Sequence, residues 1–108
     1  MNEPTNCLIL ADGTVLENSS GGYADGQLWC WVKGKTLGEC FALFTDESKT
    51  REIVVRYSTQ QFVYVGMTDM LLIKKDEEES EITIRMAHPN GRRPEIREEP
   101  VGLDEITE

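Results

Sequence analysis

Leu28-Trp29-Cys30-Trp31-Val32 is the stretch on which the fold turns. Successive side chains of an extended strand point to opposite faces, so Leu28, Cys30 and Val32 fall on one side and Trp29 and Trp31 on the other. Apolar residues on both sides predict a central strand covered on both faces. The two indoles admit two readings. They pack inside, since burying such large rings stabilises a small domain, or they stand at an interface, where tryptophan is enriched among the residues that dominate binding.

Upstream of this strand, residues 7–10 and 14–17 are apolar-rich runs separated by Ala11-Asp12-Gly13. An Asp-Gly pair between two such runs predicts a β-hairpin. Residues 18–26, Asn-Ser-Ser-Gly-Gly-Tyr-Ala-Asp-Gly, read as a long loop, because glycine supplies positive φ and short polar side chains bond their own backbone. Tyr23 is the only large side chain in it and is a candidate binding residue.

Downstream, Lys33-Gly34-Lys35 turns the chain, and Thr36 followed by Glu39 has the form of a capping box. A helix is predicted over about 36–45, with Leu37, Cys40, Phe41 and Phe44 as one apolar stripe lying on the sheet. Residues 51–58 and 62–65 are strands, and Gly66 marks a bulge or a close approach of backbones. Residues 70–75 and 81–86 form a further pair around an acidic turn. The expected fold is α+β: a mainly antiparallel, strongly bent sheet or partial barrel of six to seven short strands, with one short helix.

From Ala87 onward the composition changes. Pro89, Pro94, Pro100, an Asn90-Gly91 pair and alternating arginine and glutamate predict a flexible tail over 87–108, leaving 1–86 as the compact domain. Val101, Leu103 and Ile106 are its apolar anchors, a pattern able to fold onto a partner.

The chain has 108 residues, enough for one core, and a formal net charge of −9. That charge repels phosphate backbones and disfavours direct nucleic-acid binding, which needs a basic face. No apolar run approaches the ~20 residues that cross a bilayer, and no basic leader precedes Cys7, so no membrane partner is expected and a cytoplasmic location is. Cys7, Cys30 and Cys40 are odd in number and lack CxxC spacing, which indicates neither a disulfide framework nor a zinc site.

Chemistry-bearing motifs are sparse. The single histidine, His88, lies in the expected tail, away from any nucleophile it could activate. Asp76, Glu77, Glu78 and Glu79 form an acidic hairpin tip without the alternate spacing of a calcium loop. Asp12 and Asp25 each precede a glycine, as turn residues do, and Gly21-Gly22 is followed by no GK[ST]. The expectation is a non-enzymatic protein without cofactor or metal. An enzyme would need a pocket with converging polar groups near residues 21–26. The candidate protein-binding residues are Tyr23, Trp29, Trp31, Asp76, Glu77, Glu78 and Glu79.

The order of these signals carries a resemblance. Asp12-Gly13-Thr14-Val15, then Gly22-Tyr23-Ala24-Asp25-Gly26-Gln27-Leu28-Trp29, then Phe41-Ala42-Leu43-Phe44 with Lys49-Thr50-Arg51-Glu52-Ile53, then Tyr64-Val65-Gly66-Met67-Thr68, resembles short uncharacterised proteins of Gram-positive phage and prophage gene clusters. The likeness spans roughly residues 8–86 and brings no catalytic or metal residue with it. It implies a virion, tail-assembly or accessory protein, acting in the host cytoplasm or on the virion, whose partner is another phage component or a second copy of itself. The alternative is an acidic host-defence inhibitor of the anti-restriction or anti-CRISPR kind, whose carboxylates imitate DNA phosphates.

Overall fold

The computed structural model describes residues 6–57, 60–91 and 94–100. In chain order the first elements are β1 (Cys7–Ile9), β2 (Val15–Glu17), β3 (Ser20–Ala24), β4 (Gln27–Lys33), α1 (Leu37–Phe44) and α2 (Glu47–Thr50). They are followed by β5 (Glu52–Arg56), β6 (Gln60–Val65), β7 (Asp69–Asp76), β8 (Glu81–Ala87) and β9 (Glu95–Pro100).

The Asp-Gly hairpin forms as the sequence predicts, with Leu8 opposite Leu16 and the Asp12 carboxylate accepting the Thr14 amide at 3.0 Å. This hairpin starts a five-stranded antiparallel sheet ordered β2-β1-β5-β6-β9. The strand with the two tryptophans, β4, is central in the other, a four-stranded antiparallel sheet ordered β3-β4-β8-β7, but it is covered on one face only, with Trp29 and Trp31 half-buried on the other. Alternation then decides the packing. Leu8, Leu16, Ile53, Val55 and Tyr64 from the first sheet meet Leu28, Cys30, Val32, Ile82, Ile84 and Met86 from the second in one buried cluster. Two sheets whose inner faces share a core in this way form a sandwich.

Several expectations are corrected. The fold is α+β and mainly antiparallel, but the described residues form nine strands in two open sheets rather than six to seven in one bent sheet or partial barrel, and two short helices rather than one. The segment read as a long loop contains β3, paired to β4 with Gly22 opposite Trp29. Gly21 has a packing reason: a Cβ there would lie 2.9 Å from the Trp29 carbonyl oxygen and 3.1 Å from Val55 Cγ2, where β3 presses on the other sheet.

The capping box is present, with Thr36 and Glu39 exchanging side-chain and backbone bonds at 3.0 and 2.8 Å. The helical stripe divides, however. Cys40 and Phe44 are buried, whereas Leu37 and Phe41 stay 42% and 52% exposed, because the helix turns only its Cys40–Phe44 side to the core.

The segment expected to be a flexible tail supplies β9, which pairs with β6 from Val65↔Glu95 to Gln60↔Pro100. Its charges suit a strand at the sheet margin. Val101, Leu103 and Ile106 lie outside the described residues. His88 packs at Gly66, where an added Cβ would sit 2.9 Å from the imidazole Cδ2, so Gly66 admits a side chain rather than a bulge. The bulge falls instead in β7, between Met70 and Leu72.

Candidate docking face

Residues directly opposite one another in a ladder share a face, so the register assembles the outer side of the four-stranded sheet row by row. One central row runs Leu72–Arg85–Trp29–Gly22, and the next Lys74–Thr83–Trp31–Ser20. Trp29 and Trp31 are two residues apart on β4 and stand side by side, with ring centroids 6.3 Å apart and planes at 26°. Both are half-buried. The Arg85 guanidinium carbon sits 5.1 Å from the Trp29 ring centroid, a cation–π contact of about 0.5–1 kcal/mol at such a site. Arg85 Nη1 also donates to Gln27 Oε1 at 3.1 Å, while its Nε is buried without a hydrogen-bond partner among the described residues.

Gly22 leaves the floor beside Trp29 open, since a Cβ there would meet no atom within 4 Å. The result is a strip with two indoles at its centre, a bare floor on one flank and Arg85, Leu72 and Lys74 on the other. Lys33, Lys74 and Arg85 make no ion pair among the described residues.

The opposite surface of the sandwich differs. There Val15, Ile9, Val54 and Val63, the last of them buried, form a row that ends at Arg97. Arg97 lies 3.5 Å from Glu52, 3.4 Å from Glu95 and 3.4 Å from Glu99. These carboxylates, Glu99 foremost, hold the guanidinium above the ordinary arginine pKa. Lys49 likewise bridges Asp12 at 3.2 Å and Asp46 at 3.3 Å.

The residues singled out from sequence fall in three places. Trp29 and Trp31 share the outer strip. Tyr23 turns inward, its ring 6.0 Å from that of Tyr64 at 22°, and packs against the core. Asp76, Glu77, Glu78 and Glu79 sit at the β7–β8 turn, where the Asp76 carboxylate accepts the Glu78 and Glu79 amides at 3.0 and 3.2 Å and so shapes the turn itself. Leu72, Lys74 and Arg85 were not singled out. Alternation in β8 does put Thr83 and Arg85 outside, but only the β4–β8 register puts Arg85 beside Trp29.

Thiol chemistry finds little support. Burial pushes Cys30 up to about 12 and Cys40 up to about 11, and raises Cys7 as well, so all three are neutral near pH 7. A polar depression of about 490 Å³ is lined by Asn6, Asn18, Ser19, Ser20, Lys33 and Glu81, at one end of the four-stranded sheet. Among the described residues, no group of three or more His, Cys, Asp or Glu side chains is placed to hold a metal ion. No helix among them is long and apolar enough to cross a membrane. Compared with known proteins, the chain matches no family model, no curated protein and no solved structure.

Proposed function

We propose that this protein acts by binding another protein through the outer face of its four-stranded sheet, with Trp29 and Trp31 as the anchors. One observation carries the reading: two adjacent indoles stand half-exposed on the side of β4 that faces away from the core. Large, rigid aromatic surfaces beside an arginine are what interfaces use for most of their binding energy, because they bury much area and lose little side-chain entropy. The phage or prophage setting comes from the sequence resemblance. In that setting the bound protein is a particle or assembly component, and the role is structural rather than catalytic, in the host cytoplasm or on the virion.

Photo-crosslinking from position 31, against position 15 on the other sheet and position 78 on the hairpin tip, tests this in cells expressing the surrounding gene cluster. A discrete adduct from position 31 alone, to a component of the particle, is the expected result. An adduct from position 78 to a DNA-binding nuclease would replace this reading with the inhibitor. Adducts indistinguishable between positions 31 and 15 would remove the docking face.

A further inference from the structure

The charge around the tryptophans is out of keeping with the chain that carries them. The protein has a formal net charge of −9, yet the two central rows of the outer strip hold Arg85 and Lys74 and no carboxylate. The strip's acids stand at its ends: Asp69 in one terminal row, and Asp76 and Glu81 with Lys33 in the other. Neither Arg85 nor Lys74 is neutralised by an ion pair among the described residues, whereas Arg97 and Lys49 on the other side of the molecule are each bracketed by acids. Arg85 is also held in place by Trp29 and Gln27, so its charge is positioned beside the indoles before any partner arrives.

From this we infer that the segment received by the face is acidic: a stretch of a partner protein whose apolar side chains cover Trp29 and Trp31 and whose flanking carboxylates meet Arg85 and Lys74. This rests on the docking reading above and names its partner's chemistry. Two features support it. Opposite charge across an interface steers encounter and excludes wrong partners, and a local cationic spot on an acidic protein selects for acids at that spot while the rest of the surface repels them. The 6.3 Å between the indole centroids also matches the ~6.6 Å between alternate side chains of an extended chain, so such a segment can set one apolar side chain on each ring.

The test uses the full chain labelled with ¹⁵N, whose two tryptophans give two indole N–H signals. Two synthetic peptides share a Leu-Ser-Phe centre, flanked by glutamates in one and by lysines in the other. The glutamate peptide is expected to shift both indole signals and to bind at least roughly tenfold more tightly than the lysine peptide, with that margin shrinking as salt is raised. Lys74→Gln, an exposed change that disturbs no packing, should remove part of the preference. Arg85→Gln should remove more, with circular dichroism confirming that the chain still folds. Equal binding of both peptides, or a preference unchanged in both variants, would overturn the acidic partner and leave the docking face standing. If neither peptide moves either indole signal, both ideas fall together.

Discussion

The two outer surfaces of the sandwich are built on the same alternation but completed in different ways. On the five-stranded sheet, an aliphatic row ends at an arginine that three glutamates surround, so that surface balances its own charge. On the four-stranded sheet, the aromatic pair has an arginine on one ring and no carboxylate beside it. Similar residue types thus serve different ends. A cation enclosed by acids of its own chain has little left to offer another molecule, whereas one fixed on an indole and left unpaired keeps its charge for a ligand.

The sharpest way to test this contrast uses the adjacent glycines of β3, which face opposite ways. Gly21→Val drives a side chain into the seam between the sheets and is expected to lower stability by about 2–3 kcal/mol in urea titrations. The same change at Gly22 places its Cβ in open space and swaps a strand glycine for a β-former, so it should leave stability unchanged or raise it by up to about 1 kcal/mol, while raising the floor beside Trp29 enough to weaken docking. Equal losses at the two sites would mean that the seam is not tight.

Trp31→Ala comes next. Truncating a half-buried indole is expected to lower stability by about 1–2 kcal/mol, less than a core aromatic, yet to abolish the peptide response. Val15→Ser, on the other surface and 49% exposed, should leave binding untouched; if it weakens binding as much, the faces are not distinct in function.

Arg97→Ala should lower the urea midpoint modestly at low salt, with the difference from the native chain closing at high salt, because exposed ion pairs are screened. Arg85→Ala lacks an ion pair to lose, so its stability change should barely depend on salt. Matching salt dependence in the two variants would contradict the charge assignment.

The smallest effect is a pH dependence. Hydrogen bonds from Thr14, then the Lys49 ammonium, hold the Asp12 carboxyl down at about 2, below its unfolded value near 3.8. A carboxyl whose folded pKa is depressed adds stability above its unfolded pKa and loses it as pH falls through the folded one. Asp12→Asn should therefore be slightly less stable than the native chain at neutral pH, and the gap should close between about pH 4 and 2. A gap that persists at pH 2 would assign the effect to turn geometry instead.

How much of this was legible in the sequence follows from what each element answers to. The Asp12-Gly13 hairpin, the alternation of β4, the Thr36–Glu39 capping box and the β7–β8 pair are local signals, and the structure contains all four. β3 was hidden because Gly21 answers to the other sheet, a tertiary demand that looks like a loop when read along the chain. β9 was hidden for the opposite reason. Its glutamates and arginine suit a margin strand, and the same composition describes a chain with no core. Half of the candidate face was visible as Trp29 and Trp31. The other half, Arg85, Lys74 and Leu72, depends on which strands lie beside β4, and no local pattern encodes that.

β9 has one more consequence, which concerns protein homeostasis. The strand it covers, Gln60-Gln61-Phe62-Val63-Tyr64-Val65, is six residues without charge, proline or glycine and rich in β-formers, the composition from which amyloid zippers are made. β9 lays three glutamates and an arginine along it and ends at a proline, which has no amide hydrogen to offer a further strand. That shield is translated some thirty residues after the strand it covers. A nascent or clipped chain that stops before Glu95 leaves β6 as an uncharged sheet edge, so the pairing of β9 removes an edge open to strand addition.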